Sequence, residues 1–383
     1  MPLVSSPDLT SSEHFTLRNH PAFNPDSTRI RFSRPTAPVV ITRPGRRYVI
    51  YIRSRRRYLL DLCITIFETS RLYEKMAQAT EKNLPSSYAS LPYTQIRVSH
   101  HPESSPTPTP VIIVTLYRPG KHNAFTSIMR DEVVDAFGKF DIDDRVKCII
   151  VTGHGKIFCA GMDLEIGFKG GLERNNDHRD GGGQMALAIH HCRKPVIGAL
   201  QGSAVGIGIT MTLPMTIRVA YKGAKIGFVF SRRGLVMEAC SSYFLPRLIG
   251  MAKALHLVTT GATYKADDPL MEGLFTQLVD TPEEVLGKAL GIAEDIVQNT
   301  SVMASYLMKE MMYRDAGSAE GQHLLDSRLI YEMFSTSDNK EGVKSFLEKR
   351  APVFTGSMTK EAPHAYPWWN SVDVRGWPRL SKL

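Results

Sequence analysis

The sequence predicts an α/β domain followed by a helical C-terminal region. Three observations point there. Continuous apolar runs with strand propensity recur from Val111 to Val229. Stretches with one apolar helical face lie between them. From Thr281 to about Glu348 the pattern reads mainly helical.

Taken in chain order, residues 1–75 are rich in Pro, Ser and Arg, with a Tyr/Arg run from Arg46 to Tyr58, and match no nameable module. Met76-Ala77-Gln78 would serve as an ordinary start. Residues 1–90 are therefore expected to be a basic, disordered extension, and residues 1–75 either that or an artefact of the gene model. The Pro/Ser/Thr stretch Pro102–Pro110 reads as a solvated loop or hairpin tip. Val111–Leu116 is the first buried strand. Met129, Val133, Phe137 and Phe140 fall on one face of a helix. Val146–Thr152 and Val196–Leu200 are further strands, and Ile217–Ala220 and Ile226–Val229 two more. A helix is expected over Gln184–Cys192. Thr281-Pro282-Glu283-Glu284 looks like a helix start, with Thr as cap, Pro at the first position and acids in the first turn. Helices follow at Val285–Gln298, Val302–Tyr313 and Gly342–Lys349. The division is thus 1–90, a core at 91–280, and a helical region at 281–383. No period of 20–50 residues repeats.

Composition excludes several classes. Apolar content is 43% and charged content 22%, ordinary for a globular protein. The longest membrane candidate, Tyr58–Phe67, is short and carries Asp61, so no span is expected. The net charge is +9, but +7 of it sits in residues 1–75 and the rest is nearly neutral, which argues against nucleic-acid binding. The five cysteines (Cys63, Cys148, Cys159, Cys192, Cys240) are scattered and form no C-x-x-C pair, as in a reducing compartment. The chain ends in Ser381-Lys382-Leu383, the tripeptide that the peroxisomal import receptor reads. A mitochondrial transit peptide is the rival reading of the basic N-terminus. Asp26, Asp61, Glu68 and Glu74 and the lack of an amphipathic Arg face count against it.

Three segments carry the chemistry: Arg118-Pro119 to Asn123-Ala124-Phe125; Phe158-Cys159-Ala160-Gly161-Met162-Asp163-Leu164; and Lys194-Pro195-Val196-Ile197 running to Gly202-Ser203-Ala204-Val205-Gly206-Ile207-Gly208. Each is weak alone, but their order and spacing together are specific. By them the chain resembles the crotonase (enoyl-CoA hydratase/isomerase) superfamily from about Leu91 onward. Reactions beside a CoA thioester pass through an enolate, whose oxygen needs two N–H donors; losing one costs about 10²–10³ in rate. The small residues Ala160, Gly161 and Gly206 let backbone approach a ligand, and a helix starting near Gly206 would add its positive end. The resemblance implies that the donors are the amides of Met162 and Ile207. It also implies that Ala160–Leu164 line the CoA path and that Asp163 caps the following turn.

His178-Arg179-Asp180-Gly181-Gly182-Gly183 lacks the spacing of a phosphate-binding loop and reads as a mobile loop near the acyl pocket. His190-His191 has no third ligand at metal spacing, so no metal is expected.

Hydration in the resembled family uses two glutamates. Here Thr210 stands at the first position and Phe230 at the second. Glu238, four residues after Gly234, remains; the pattern is similar to peroxisomal Δ3,Δ2-enoyl-CoA isomerases. One carboxylate suffices to move a proton from C2 to C4 and shift a double bond. An apolar pocket such as Phe228, Phe230 and Met237 would exclude water and raise the acid's pKa. The plain alternative for Glu238 is a surface cap before Ser241-Ser242. Other readings stay open: a hydratase or dienoyl-CoA isomerase acting through Glu238 and an unusual partner, or a non-catalytic acyl-CoA-binding or assembly protein.

The resemblance further implies a spiral of ββα units with a C-terminal helical region that forms a homotrimer or hexamer. No cofactor is implied, since CoA is part of the substrate. Lys349 and Arg350 could meet CoA phosphates of a neighbouring subunit.

Overall fold

The computed structural model describes residues 30–31, 39–43, 46–50, 84–167 and 177–374. The chain divides into two units, Met1–Thr80 and Glu81–Leu383. In the first, β1 (Ile30–Arg31), β2 (Val39–Arg43) and β3 (Arg46–Ile50) pair antiparallel in that order. These strands were not expected in a disordered extension. The unit boundary also falls ten residues before the expected position 90. Tyr88 shows why: it is buried in the second unit's core and its hydroxyl donates to Asp143 at 2.9 Å.

The second unit opens with the hairpin of β4 (Ile96–His101) and β5 (Val111–Leu116), for which residues 102–110 are the tip. Helix α1 (Ser127–Ile142) follows, its first turn capped by the Thr126 hydroxyl accepting from the Met129 amide. Three strand pairs come next: β6 (Cys148–Gly153) with β7 (Ile157–Cys159), β8 (Val196–Leu200) with β9 (Ser203–Val205), and β10 (Ile217–Tyr221) with β11 (Lys225–Gly227). Helix α2 (Gly181–His191) follows the first pair and the short α3 (Ile207–Thr210) the second. Helices α4 (Ser241–Ile249) and α5 (Met251–Thr260) follow the third. After β12 (Thr263–Lys265) and β13 (Gln277–Val279), the chain continues through α6 (Glu284–Asn299), α7 (Val302–Tyr313), α8 (Ala319–Met333) and α9 (Ser337–Leu347).

In each pair the first strand joins one sheet and the second joins the other. The larger sheet has the order β13-β10-β8-β6-β5-β4 and is parallel except at the β4–β5 edge. The smaller has the order β12-β11-β9-β7, antiparallel only at β12. This repeated ββα turn is the expected crotonase spiral.

Strands β6 and β8 are buried along their whole length, as parallel strands covered on both faces must be. Ile149, Val151 and Leu200 face the main core. Ile150, Ile197 and Val219 face Val285, Ala289 and Ala293 of α6. Two alanines at that contact let the helix lie close to the sheet. So α6, placed by sequence in a separate C-terminal region, is a layer of the core. It starts at Glu284 rather than behind a Thr281 cap; the Glu284 carboxylate accepts from the Asp280 and Thr281 amides instead.

The segment after α9 turns back over the unit. Met358 packs on Met303, Tyr306 and Leu307. Lys147 donates to the Phe354 carbonyl at 2.9 Å, and the Trp368 indole donates to the Arg314 carbonyl at 3.0 Å. Farther on, the Arg179 guanidinium donates to the Val374 carbonyl at 2.7 Å. The tripeptide Ser381-Lys382-Leu383 lies outside the described residues, as do Cys63 and Tyr58–Phe67. No helix among the described residues is long and apolar enough to cross a membrane.

Candidate active site

The three motifs converge at one end of the smaller sheet. Asn123, almost wholly buried, is the fastener between the first two. Its amide nitrogen donates to the carbonyls of His154, Ile157 and Phe158 at 2.9, 2.8 and 3.2 Å, while its oxygen accepts from the Arg118 amide. Backbone bonds from Phe125 N to Gly161 O and from Asp163 N to Phe125 O hold the segment around Met162. Asp163 is buried and pairs with Arg118 at 2.9 Å, and its other oxygen accepts from the Glu165 amide. That makes Asp163 a structural cap and leaves its carboxylate no part in proton transfer.

The third motif closes on the second through missing side chains. A Cβ at Gly161 would lie 2.9 Å from the Val205 carbonyl, and Gly161 itself has φ +97°, a conformation that favours glycine. A Cβ at Gly208 would lie 2.3 Å from the Cys159 carbonyl. Gly206 and Gly161 adjoin, the Cβ position of one being 3.9 Å from the Cα of the other. The residues that follow them are Ile207 and Met162. Neither amide has an acceptor among the described residues. Ile207 N also opens α3, but a helix that short contributes little beyond its free N–H groups. Of the expected path residues, Ala160, Met162 and Leu164 are exposed, while Gly161 and Asp163 are buried.

Glu238 lies in the turn before α4. Its carboxyl group reaches into the same place: a Cβ at Gly182 would lie 1.6 Å from Glu238 Oε2 and 2.7 Å from Ile207 Cδ1. The Thr210 hydroxyl donates to Oε1. Burial pushes the Glu238 carboxyl up to about 7; the Thr210 hydrogen bond opposes this, and the nearby charge and hydrogen bond of Asp180 add to it. Such a group can take and return a proton near neutral pH. Phe228 is buried beneath, with Phe230 and Met237 packed against the same core.

Asp180 is the residue that sequence reading did not single out. The stretch read as a mobile loop is the ordered start of α2, which begins at Gly181 rather than Gln184, with Asp180 as its N-cap. The signal was present: Asp directly before a helix is a strong cap, hidden by three glycines that suggest a loop. Each glycine admits a neighbour. The Cβ positions of Gly181, Gly182 and Gly183 lie 3.3 Å from Arg130 Cδ, 1.6 Å from Glu238 Oε2 and 2.5 Å from Asp180 Oδ2.

Other candidates do not form a site. Cys148, Cys159 and Cys192 are buried, and burial pushes their thiols up to about 12, far from nucleophilic use. His190 packs against Phe244 and Tyr313, and burial pushes it down to about 3. Among the described residues no group of three His, Cys, Asp or Glu could hold a metal. Arg350 pairs with Glu341 and Glu348.

Comparison with known proteins identifies the family. The enoyl-CoA hydratase/isomerase family pattern matches residues 107–357. The Alternaria alternata enoyl-CoA hydratase ACTT3 is 47% identical over 277 residues, covering 72% of this chain and 92% of that protein. The 1,2-epoxyphenylacetyl-CoA isomerase of Escherichia coli is 29% identical over 259 residues, covering 64% and 95%. Among solved structures, a putative enoyl-CoA hydratase from Streptomyces coelicolor superposes with a TM-score of 0.63 at 26% identity, covering 72% of this chain and 99% of that one. The chain belongs to the enoyl-CoA hydratase/isomerase family of the crotonase superfamily.

Proposed function

We propose that the chain moves the double bond of an enoyl-CoA from C3 to C2, with Glu238 as the proton carrier. The observation that supports this most is the position of the Glu238 carboxyl against Ile207, with Thr210 and Phe230 where a hydratase would hold its two acids. In this reading the Glu238 carboxylate removes a proton from C2 of a 3-enoyl-CoA. The C–H electron pair moves into the thioester and gives a dienolate. The amides of Met162 and Ile207 hold its oxygen. The dienolate then takes the same proton from Glu238 at C4, leaving the double bond between C2 and C3. No water is consumed, and CoA enters only as part of the substrate.

A hydratase is the second reading. It is favoured by the name of the Alternaria relative and by a second carboxyl group, Asp180, beside Glu238. A panel of 3-enoyl-, 2-enoyl- and 2,4-dienoyl-CoA thioesters separates the cases. Interconversion of the first two supports isomerisation. Water addition without isomerisation moves the activity to hydration, and inertness toward all three moves it to acyl-CoA binding.

The assembly is proposed to be a homotrimer or a pair of trimers. Exposed Met308, Met312, Leu324, Tyr331 and Phe346 on α7, α8 and α9 are apolar surface that such an assembly would cover. Light scattering at a monomer mass would remove this reading. The proposed location is the peroxisome, through Ser381-Lys382-Leu383 and its import receptor.

A further inference from the structure

We propose that Asp180 is the positioning residue of Glu238: through the Ala239 amide it fixes the backbone turn that carries Glu238, and it stands beside Glu238 as a second carboxyl group at the start of α2. This rests on the reading of Glu238 as proton carrier.

The backbone observation comes first. One oxygen of Asp180 accepts from the Gly183 amide, capping α2, and also from the Ala239 amide at 3.3 Å. Ala239 is the residue directly after Glu238. Asp180 therefore ties the start of α2 to the Glu238 turn. That turn is an unusual one. Ala239 and Cys240 both have left-handed backbones, φ +57° and +54°, although neither is glycine. Two such residues in succession persist only when the surroundings hold them. On the far side, the Glu238 carbonyl accepts from both the amide and the hydroxyl of Ser241. The turn is held from both ends, and Asp180 supplies one of the two.

The second observation is the placement of the two carboxyl groups. The Asp180 oxygen that meets the Ala239 amide is one residue from Glu238, and the Asp180 carboxyl group acts on that of Glu238 both by its charge and by a hydrogen bond. Two carboxyl groups so placed resist ionising together. No cation faces Glu238 among the described residues packed around it. Thr210 from α3 opposes the effect of Asp180 through its hydrogen bond to Oε1 but carries no charge, and Cys240 of the same turn has its own thiol raised, first by burial and then by the charges of Asp180 and Glu238. Arg130 from α1 lies against Gly181 and is paired with Asp131. Arg179 is held by the carbonyls of Val374 and His178.

Asp180→Asn tests the inference in the full chain. The Asn oxygen can keep both backbone bonds while the charge is lost. Glu238 is followed by the infrared carboxyl band of ¹³C-labelled glutamate, assigned by its absence in Glu238→Gln. Asp180→Asn is expected to lower the Glu238 titration midpoint by about one pH unit or more, with an unchanged far-ultraviolet spectrum. If Asp180→Asn does not fold, Asp180→Ser, a neutral cap, is expected to move the midpoint the same way. An unmoved midpoint in either folded variant overturns the inference and leaves Asp180 a helix cap alone. Failure of Glu238→Gln to remove any titrating band also overturns it. By contrast, a shifted midpoint in a protein inert toward every enoyl-CoA would sink only the isomerase reading.

Discussion

The Thr210 hydroxyl donates a 2.7 Å hydrogen bond to Oε1 of Glu238, joining α3 to the turn before α4. This bond favours the charged carboxylate and so opposes the effect of burial. Thr210→Val keeps the shape and removes the donor. A hydrogen bond to a charged group is worth about 1.5–3 kcal/mol, which is roughly one to two pH units. The acidic limb of the rate profile should therefore move up by about that amount. A limb that stays in place would show that the bond is not made during turnover.

Glu238→Gln should lower kcat by about 10²–10⁴ while leaving KM little changed. Near-normal isomerisation would remove Glu238 from the reaction.

The same substitution has a stability signature of definite sign. The folded-state carboxyl sits at about 7 against an ordinary 4.5, so the fold disfavours its ionisation. The penalty is absent below about pH 4.5 and is fully present only above pH 7. Gln carries no charge. Glu238→Gln should therefore melt higher than the parent at pH 8, by a free energy on the order of 1–3 kcal/mol. The two should converge near pH 4. Equal melting at both pH values would mean that Glu238 ionises freely.

Gly182→Ala should cost activity without unfolding the protein. Alanine suits the first turn of a helix, but its Cβ would lie 1.6 Å from Glu238 Oε2. Displacing the carboxyl group by about 1 Å can cost about 10² in rate. Gly181→Ala is the control, because there the new Cβ meets the flexible Arg130 side chain at 3.3 Å and touches the Phe125 ring only at an ordinary 3.7 Å. Equal kinetics in the two variants would count against the placement of Glu238.

Removing Ser381-Lys382-Leu383 from an N-terminal fluorescent fusion should turn a peroxisomal signal cytosolic. Retention in peroxisomes, or entry of the intact fusion into mitochondria, would refute that address. A companion chain starting at Met76 keeps all of the second unit from Glu81 onward. It should fold and act like the full chain, and loss of solubility would argue against this.

The parts of the fold legible in the sequence were those with the most burial per residue. Val111–Leu116 and Val196–Leu200 are strands at the residues expected, because an unbroken apolar run has one stable use in a covered sheet. The second strands of the first two pairs, Ile157–Cys159 and Ser203–Val205, are three residues long and were not legible, whereas that of the third, Lys225–Gly227, overlaps the expected Ile226–Val229. Too few side chains remain in the first two to show a period. The three motif segments were legible through their order and spacing, and the close backbone approach seen at Gly161 and Gly208 is the physical reason that glycine stands there. Asp180 was not legible, because its role depends on Ala239, 59 residues away in the chain, and no spacing rule links them.

The segment beyond α9 has a practical meaning for anyone tagging this protein. Val374 holds Arg179, next to Asp180, and nine residues follow Val374 in the chain. Nine residues span at most about 30 Å. Whatever is fused to the carboxyl end, be it an affinity handle, a fluorophore or a docked receptor, is leashed within that radius of Val374 and so stays near Arg179, the neighbour of Asp180. Kinetics measured with a C-terminal fusion would then report on the leash as well as on the enzyme.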